Sequence, residues 1–241
     1  MSPLSRLEIQ VLPGRSVDHP RVVLLVDGQD FLAWRGDRGF GPESLLHRGD
    51  PLTPTDPPRR VALYLCGCGE AGCGTTACRI SESKGIVRWS GFRSFVGLNH
   101  PLDASLADED GRPADLPDLA FDAAEYRAEV ERAKADRSWE TRRRRRARLL
   151  NERLAERPER WDELGVEFRS VWLWDDENEV YAVNLQRQGD QLLIGVRTQL
   201  GADDDTVLNA MTAEVLAGDE QTWFVIYDQR RPSPPAHPAH P

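Results

Sequence analysis

The chain has 241 residues, of which 39% are hydrophobic and 29% charged, and its formal net charge is −9 at neutral pH. This hydrophobic content is enough to bury a core, which excludes a wholly disordered chain. No apolar run approaches the roughly 20 residues that span a bilayer, and the N-terminus lacks the basic and apolar segments of a secretory signal. We therefore expect a cytoplasmic protein, with reduced thiols and no membrane contact.

Residues 1–120 carry short apolar runs separated by turn residues, which predicts a β-rich part. The strand-like runs are, in chain order, 7–12, 21–26, 30–34, 60–65, 75–80 and 85–92. Asp27-Gly28 is a hairpin signal after the second run, and residues 81–84 are the expected turn between the last two. Residues 97–120 are rich in Pro, Asp and Gly without periodicity, which predicts a long loop.

A helical segment is predicted for residues 121–165. The first helix begins at Asp122, a good N-cap, and Glu125 completes a capping box. A second helix is expected at about 139–157, because its apolar residues recur at helical spacing. Pro158 is suited to the first position of a short third helix.

Residues 166–231 predict a β-β-β-α-β part. The expected strands are 166–174, 179–185, 191–200 and 223–227, and their short connectors indicate an antiparallel meander. The acidic run 203–205 supplies an N-cap and first turn for the helix. The Pro/His tail at 232–241 cannot build a core and is predicted to be disordered. The fold class is thus α+β, with mostly antiparallel sheet and a helical middle segment.

The four cysteines of the chain are clustered. They are Cys66, Cys68, Cys73 and Cys78. Random placement in 241 positions would almost never bring them so close. Glycine and alanine fill much of the intervening sequence, which lets the backbone turn tightly. Cys66 and Cys68 share a parity, so in an extended chain their side chains point the same way.

The flanking strands suggest how these cysteines could meet. A hairpin flanked by Leu65 and Thr76 would bring Cys73 over the strand ends, and Cys78 shares a face with Thr76 and Ile80. Four sulfurs could then surround one ion tetrahedrally at about 2.3 Å, as zinc prefers. Soft thiolates favour zinc over calcium or magnesium. The sequence therefore predicts a zinc site with all four cysteines as ligands.

Two other interpretations of the cluster stay open. The zinc-ribbon pattern of two C-x-x-C pairs is absent from the sequence. The cysteines could instead be inert thiols that pack like small apolar residues. A pair could also act as a redox switch, for which Cys66 and Cys73 are the best-placed partners.

The segments RVALYLCGCGEAGCGTTACRI, GIVRWSGF and LAFDAAEYRAEVERA together resemble a family of uncharacterised bacterial proteins that is common in actinobacteria. The family pattern is a strand, C-x-C-G-x-x-G-C, a strand, V-x-W-x-x-F, and then an F-D-x-x-x-Y helix. The matching positions are Cys66, Cys68, Gly69, Gly72, Cys73, Val87, Trp89, Phe92, Phe121, Asp122 and Tyr126. The resemblance covers roughly residues 20–135 and implies no activity or catalytic residue.

The run Arg142–Arg146, followed by Arg148, is the strongest charge feature. Five consecutive residues span about 500° around a helix, so they present no single stripe to a groove. Glu140, Glu152 and Glu156 lie close enough along the helix to pair with several of them. We expect a solvated helix face. The alternative is a phosphate-binding face, which a net charge of −9 makes less favourable.

The sequence contains no Walker loop, H-E-x-x-H or G-x-S-x-G motif. We therefore expect a non-enzymatic protein-interaction module, adaptor or immunity-like, with a cysteine-rich and zinc-binding turn. Its partner would be another protein, which the sequence does not identify. The alternatives are a nucleic-acid-associated protein that uses the arginine helix beside a zinc knuckle, and a thiol-based redox enzyme or sensor.

Overall fold

The structure is a computed structural model. It describes residues 3–14, 18–31, 38–68, 73–98, 100–102, 106, 111–175, 178–198, 203–219 and 221–228. The chain divides into two compact units, Met1–Trp139 and Glu140–Pro241, called here the N-terminal and C-terminal units. The predicted α+β class with mostly antiparallel sheet is confirmed. The helical segment 121–165 contributes one helix to the N-terminal unit and two to the C-terminal unit.

The N-terminal unit is built mainly from antiparallel strands. They are β1 (Leu7–Leu12), β2 (Arg21–Val26), β3 (Gln29–Asp30), β4 (Arg38–Gly39), β5 (Arg59–Leu65), β6 (Thr75–Ser83), β7 (Ile86–Phe95), β8 (Arg112–Pro113) and β9 (Leu119–Asp122). A π-helical turn spans Glu43–His47, and helix α1 (Ala123–Ala135) follows β9. One sheet has the order β1-β2-β3. The other has the order β4-β5-β6-β7-β8, and β9 also pairs with β7.

Two tight hairpins set the registers of these sheets. Asp27 and Gly28 have φ of 52° and 80°, and Lys84 and Gly85 have φ of 52° and 74°. Positive φ at both central positions is the type I′ geometry that matches strand twist. The turn predicted at 81–84 was therefore placed too early, because β6 continues to Ser83.

The prediction of a long loop at 97–120 is wrong at 112–113, where β8 forms, and at 119–120, where β9 begins. Val87 of β7 pairs with Phe121 of β9, and Arg93 pairs with Pro113 of β8. These pairings depend on a strand distant in sequence, and local composition does not report them.

The start of α1 joins local capping to the core. The Asp122 side chain accepts hydrogen bonds from two first-turn backbone amides, which confirms it as the N-cap. Phe121 and Tyr126 pack with ring centroids 5.6 Å apart, the spacing of a hydrophobic staple. The buried Trp89 Nε1 donates to Tyr126 Oη at 3.2 Å, and Tyr126 Oη donates to the Leu52 carbonyl at 2.8 Å. The buried polar atoms of Trp89 and Tyr126 are thus satisfied within the core.

The C-terminal unit confirms the β-β-β-α-β order. It contains α2 (Arg142–Ala155), α3 (Pro158–Glu163), β10 (Glu167–Asp175), β11 (Val180–Arg187), β12 (Asp190–Arg197), α4 (Asp204–Ala217) and β13 (Phe224–Asp228). The sheet is an antiparallel meander in the order β10-β11-β12-β13. Alternate residues of its first three strands pack with residues of the three helices in one buried cluster. The predicted tail at 232–241 lies outside the described residues.

No helix of the described ranges has the length and apolar character needed to cross a membrane.

The free edge of β1 is held by an ion pair on α1. Ile9 N–H donates to Glu129 Oε1 at 2.6 Å, and Arg132 Nη2 donates to the Ile9 carbonyl at 2.6 Å. Arg132 Nε also bonds Glu129 Oε2 at 2.8 Å. Burial raises the pKa of Glu129, but the hydrogen bonds from Arg132 and Ile9 N–H, together with the nearby arginine charges, outweigh burial, and the pKa falls below its ordinary value. The pair lies across a crevice of about 830 Å³ between β1 and α1. The backbone N–H and carbonyl of Ile9 are therefore not available to pair with a strand of another molecule.

Replacing this pair is expected to expose the edge. Glu129→Ala with Arg132→Ala should destabilise the N-terminal unit by about 1–3 kcal/mol, because buried backbone groups of Ile9 lose their partners. It should also raise self-association, measured by sedimentation velocity over a concentration series.

The matched control is Glu131→Ala with Lys134→Ala, a pair with the same spacing on the same helix that bonds Asp50 and not β1. It should leave the sedimentation profile unchanged. Identical profiles for both double variants would contradict the edge-protecting role of Glu129 and Arg132.

Candidate metal centre

The β5–β6 hairpin holds the cysteine turn at its base. Leu65, the last residue of β5, pairs with Thr75, the first of β6. Cys66 N–H donates to the Gly74 carbonyl at 2.7 Å, one step beyond the last strand pair. The inner residues of β5 are buried in the core. The ends of the turn are therefore fixed by the sheet, without need of an ion.

Three sulfurs converge on this turn. The Sγ atoms of Cys66, Cys68 and Cys73 all lie within 4.8 Å of one another. Cys68 N–H also points at Cys66 Sγ, at 3.5 Å. Tetrahedral zinc with bonds of about 2.3 Å needs sulfurs about 3.8 Å apart. To bind one zinc ion, the sulfurs would therefore have to approach one another by about 1 Å or less. Rotation of the cysteine side chains can supply this movement.

The fourth cysteine is not part of this group. Cys78 lies within β6, where it pairs with Val61, and its side chain is fully buried in the core. Burial raises the pKa of its thiol, which favours the neutral form. The structure thus brings together three of the four predicted ligands and places Cys78 among packing residues.

The three converging thiols influence each other's protonation. Hydrogen bonds with Cys68 and then Cys66 raise the pKa of Cys73 to about 11. The thiols share protons, and a second negative charge beside the first is unfavourable. Without a metal, Cys73 is therefore protonated at neutral pH. A divalent cation removes this penalty by supplying positive charge at the point where the sulfurs meet.

The arrangement is a group of three thiols that faces solvent. Cys68 and Cys73 are exposed, and Cys66 is half-buried. Within the described residues, no histidine, aspartate or glutamate completes the group. Three protein ligands with an open position are typical of zinc sites that exchange a ligand, whereas structural sites are closed by four.

Comparison with known protein families, curated proteins and solved structures finds no match for this chain. Functional inference therefore rests on the geometry of the turn.

The arginine helix is engaged within its own unit. Arg142 Nε bonds Asp204 Oδ1 at 2.8 Å, and Arg143 Nε bonds Glu179 Oε1 at 3.0 Å. Arg146 bonds both acids, at 3.2 Å to Glu179 and 2.7 Å to Asp204. The expected solvated face is wrong for Arg146, whose side chain is only 5% exposed. These contacts tie α2 to the start of α4 and to the turn before β11.

A second set of contacts agrees with the pairing expected along the helix. Arg148 Nε bonds Glu140 Oε1 at 2.8 Å, and its Nη1 bonds Glu152 Oε1 at 3.0 Å. The hydrogen bonds that Arg148 donates to Glu140 raise the pKa of Arg148 above its ordinary value. Much of the positive charge of α2 is thus balanced by neighbouring carboxylates.

Arg146 is expected to stabilise the C-terminal unit far more than Arg142. Arg146→Met leaves two partly buried carboxylates without their shared partner and should cost about 3 kcal/mol in urea unfolding. Arg142→Met, at a position 61% exposed, should cost less than about 1 kcal/mol.

The hydrogen bond from Arg142 lowers the pKa of Asp204. The contribution of this ion pair is therefore complete above about pH 4 and is lost as the pH falls further.

Both arginines bond the same Asp204 oxygen. Equal losses of stability in the two variants would therefore contradict the ranking of Arg146 above Arg142, because they would show that the burial of Arg146 makes no difference.

Proposed function

We propose that Cys66, Cys68 and Cys73 together bind one zinc ion. The observation that carries this is the convergence of their sulfurs within 4.8 Å on a turn fixed at its base. Thiolates are soft ligands that select zinc or similar ions over magnesium and calcium. The ion would order the glycine-rich turn between β5 and β6.

We propose that the ordered turn belongs to a non-enzymatic protein-interaction module, adaptor or immunity-like in its role. The exposure of Cys68 and Cys73 supports it, since the turn offers its surface to a partner. A net charge of −9 and the internal ion pairs of α2 weigh against a nucleic-acid partner. The proposed compartment is the cytoplasm, because a thiolate site needs reduced sulfurs.

Redox chemistry is the second candidate, because the same sulfur proximity favours it. A disulfide between Cys66 and Cys73 would need the sulfurs to reach about 2.05 Å. It would also remove two zinc ligands at once. A zinc ion would use all three converging sulfurs, whereas a disulfide would use only two of them, which favours the metal over the redox role.

Protein purified without an affinity tag for metals is expected to contain one zinc per chain, as measured by elemental analysis. Serine at position 66, 68 or 73 should abolish stoichiometric zinc. Chelation should lower the melting temperature by less than about 4 °C, which corresponds to about 1 kcal/mol for a unit of this size. The effect is small because the core packs without the ion and because cysteines so close in sequence also bind zinc in the unfolded chain.

Cys78→Ala is the matched control, since it removes a sulfur from the buried strand and not from the turn. It should retain one zinc per chain even though it lowers stability. Substoichiometric zinc in the parent protein under reducing conditions would overturn the proposal. Loss of zinc only after oxidation, with a Cys66–Cys73 disulfide found by mass spectrometry, would favour the redox candidate.

A further inference from the structure

The cysteine turn leaves one coordination position of a bound ion facing solvent. Of its three sulfurs, two belong to exposed residues, and the remaining cysteine of the chain is buried in β6. Zinc prefers four ligands, and a site with three protein ligands takes a water or a substrate atom as the fourth. The site, which rests on the proposed function, is thus incomplete within the described residues.

Two of the described residues that adjoin the ligands carry no side chain. Gly67 lies between two of the ligands and is exposed, and Gly74 follows the third. A methyl group at Gly74 would already lie 3.5 Å from Cys66 Cβ. Glycine at these positions therefore leaves room for a further group beside the sulfurs.

The donor set favours a soft ligand in this position. Three thiolates make a bound zinc ion thiophilic, and solvent exposure lets another sulfur reach it.

We propose that the fourth ligand is an exogenous thiolate. The thiol R–SH releases its proton to solvent, its sulfur donates an electron pair to the zinc, and the bound water leaves. No oxidation state changes. The thiol has two sources, a small free thiol or a cysteine of a partner protein, and the shared chemistry is thiolate coordination at the open position.

The test uses the full chain loaded with Co²⁺, whose visible bands report its ligands. Titration with the monothiol 2-mercaptoethanol should change these bands saturably and raise the sulfur-to-cobalt charge-transfer absorbance by about one third, as three sulfurs become four. Gel filtration after titration should show cobalt still bound. The Cys78→Ala variant should respond in the same way, because Cys78 is not a ligand.

A second arm distinguishes the two sources. An unstructured peptide with one cysteine is titrated in place of the monothiol. Saturation at a concentration at least about tenfold lower than for 2-mercaptoethanol would assign the ligand to a protein cysteine. Equal or weaker binding of the peptide would assign it to a small thiol. Either result supports thiolate coordination.

Three outcomes would overturn the inference while leaving the metal site intact. The first is cobalt binding with a spectrum that no thiol alters. The second is a response to imidazole alone, which would make the fourth ligand a neutral nitrogen. The third is a thiol response that appears only in Glu70→Gln, which would assign the position to Glu70, a residue outside the described ranges. Failure to bind cobalt at all would instead count against the proposed function.

Discussion

The pairing of β5 with β6 up to Leu65 and Thr75 is the constraint on which the site depends. One further hydrogen bond, from Cys66 N–H to the Gly74 carbonyl, closes the turn beyond the last strand pair. The strands are anchored by buried side chains, so the conformational entropy of bringing the turn's ends together is already lost when the core folds. An ion that binds there has only to order the turn itself.

This constraint separates the site from the stability of the fold. In small zinc domains the ion supplies most of the folding free energy. Here the core contains Trp89 and Tyr126, whose polar atoms bond each other and the chain, and Cys78 packs in the same cluster. A metal ion at the proposed site would therefore be free to exchange, because the fold does not depend on it. The C-terminal unit has its own core, with a buried arginine and two acids at the junction of its helices and sheet.

Local signals in the sequence were sufficient for most elements. Strand alternation, the Asp122 N-cap and the Asp27-Gly28 hairpin each act over a few residues, and each is observed. β8 and β9 could not be predicted, because their strand character comes from pairing with β7. For the site, clustering predicted the convergence of all four cysteines, and three of them converge. The sequence also indicated that the Cys78 side chain points into the core, because Cys78 shares a strand face with Ile80, which is buried. The prediction of a four-sulfur site did not use this signal.

The central claim is that the turn provides three sulfurs and no more. X-ray absorption at the zinc edge of the zinc-loaded protein, in buffer without added thiol, tests it most directly. We expect three sulfurs at about 2.3 Å and one oxygen or nitrogen at a shorter distance. Four sulfurs would show that Cys78 leaves the core to complete a closed site, and a shell of oxygen and nitrogen alone would show that zinc binds elsewhere. Either result would contradict the account.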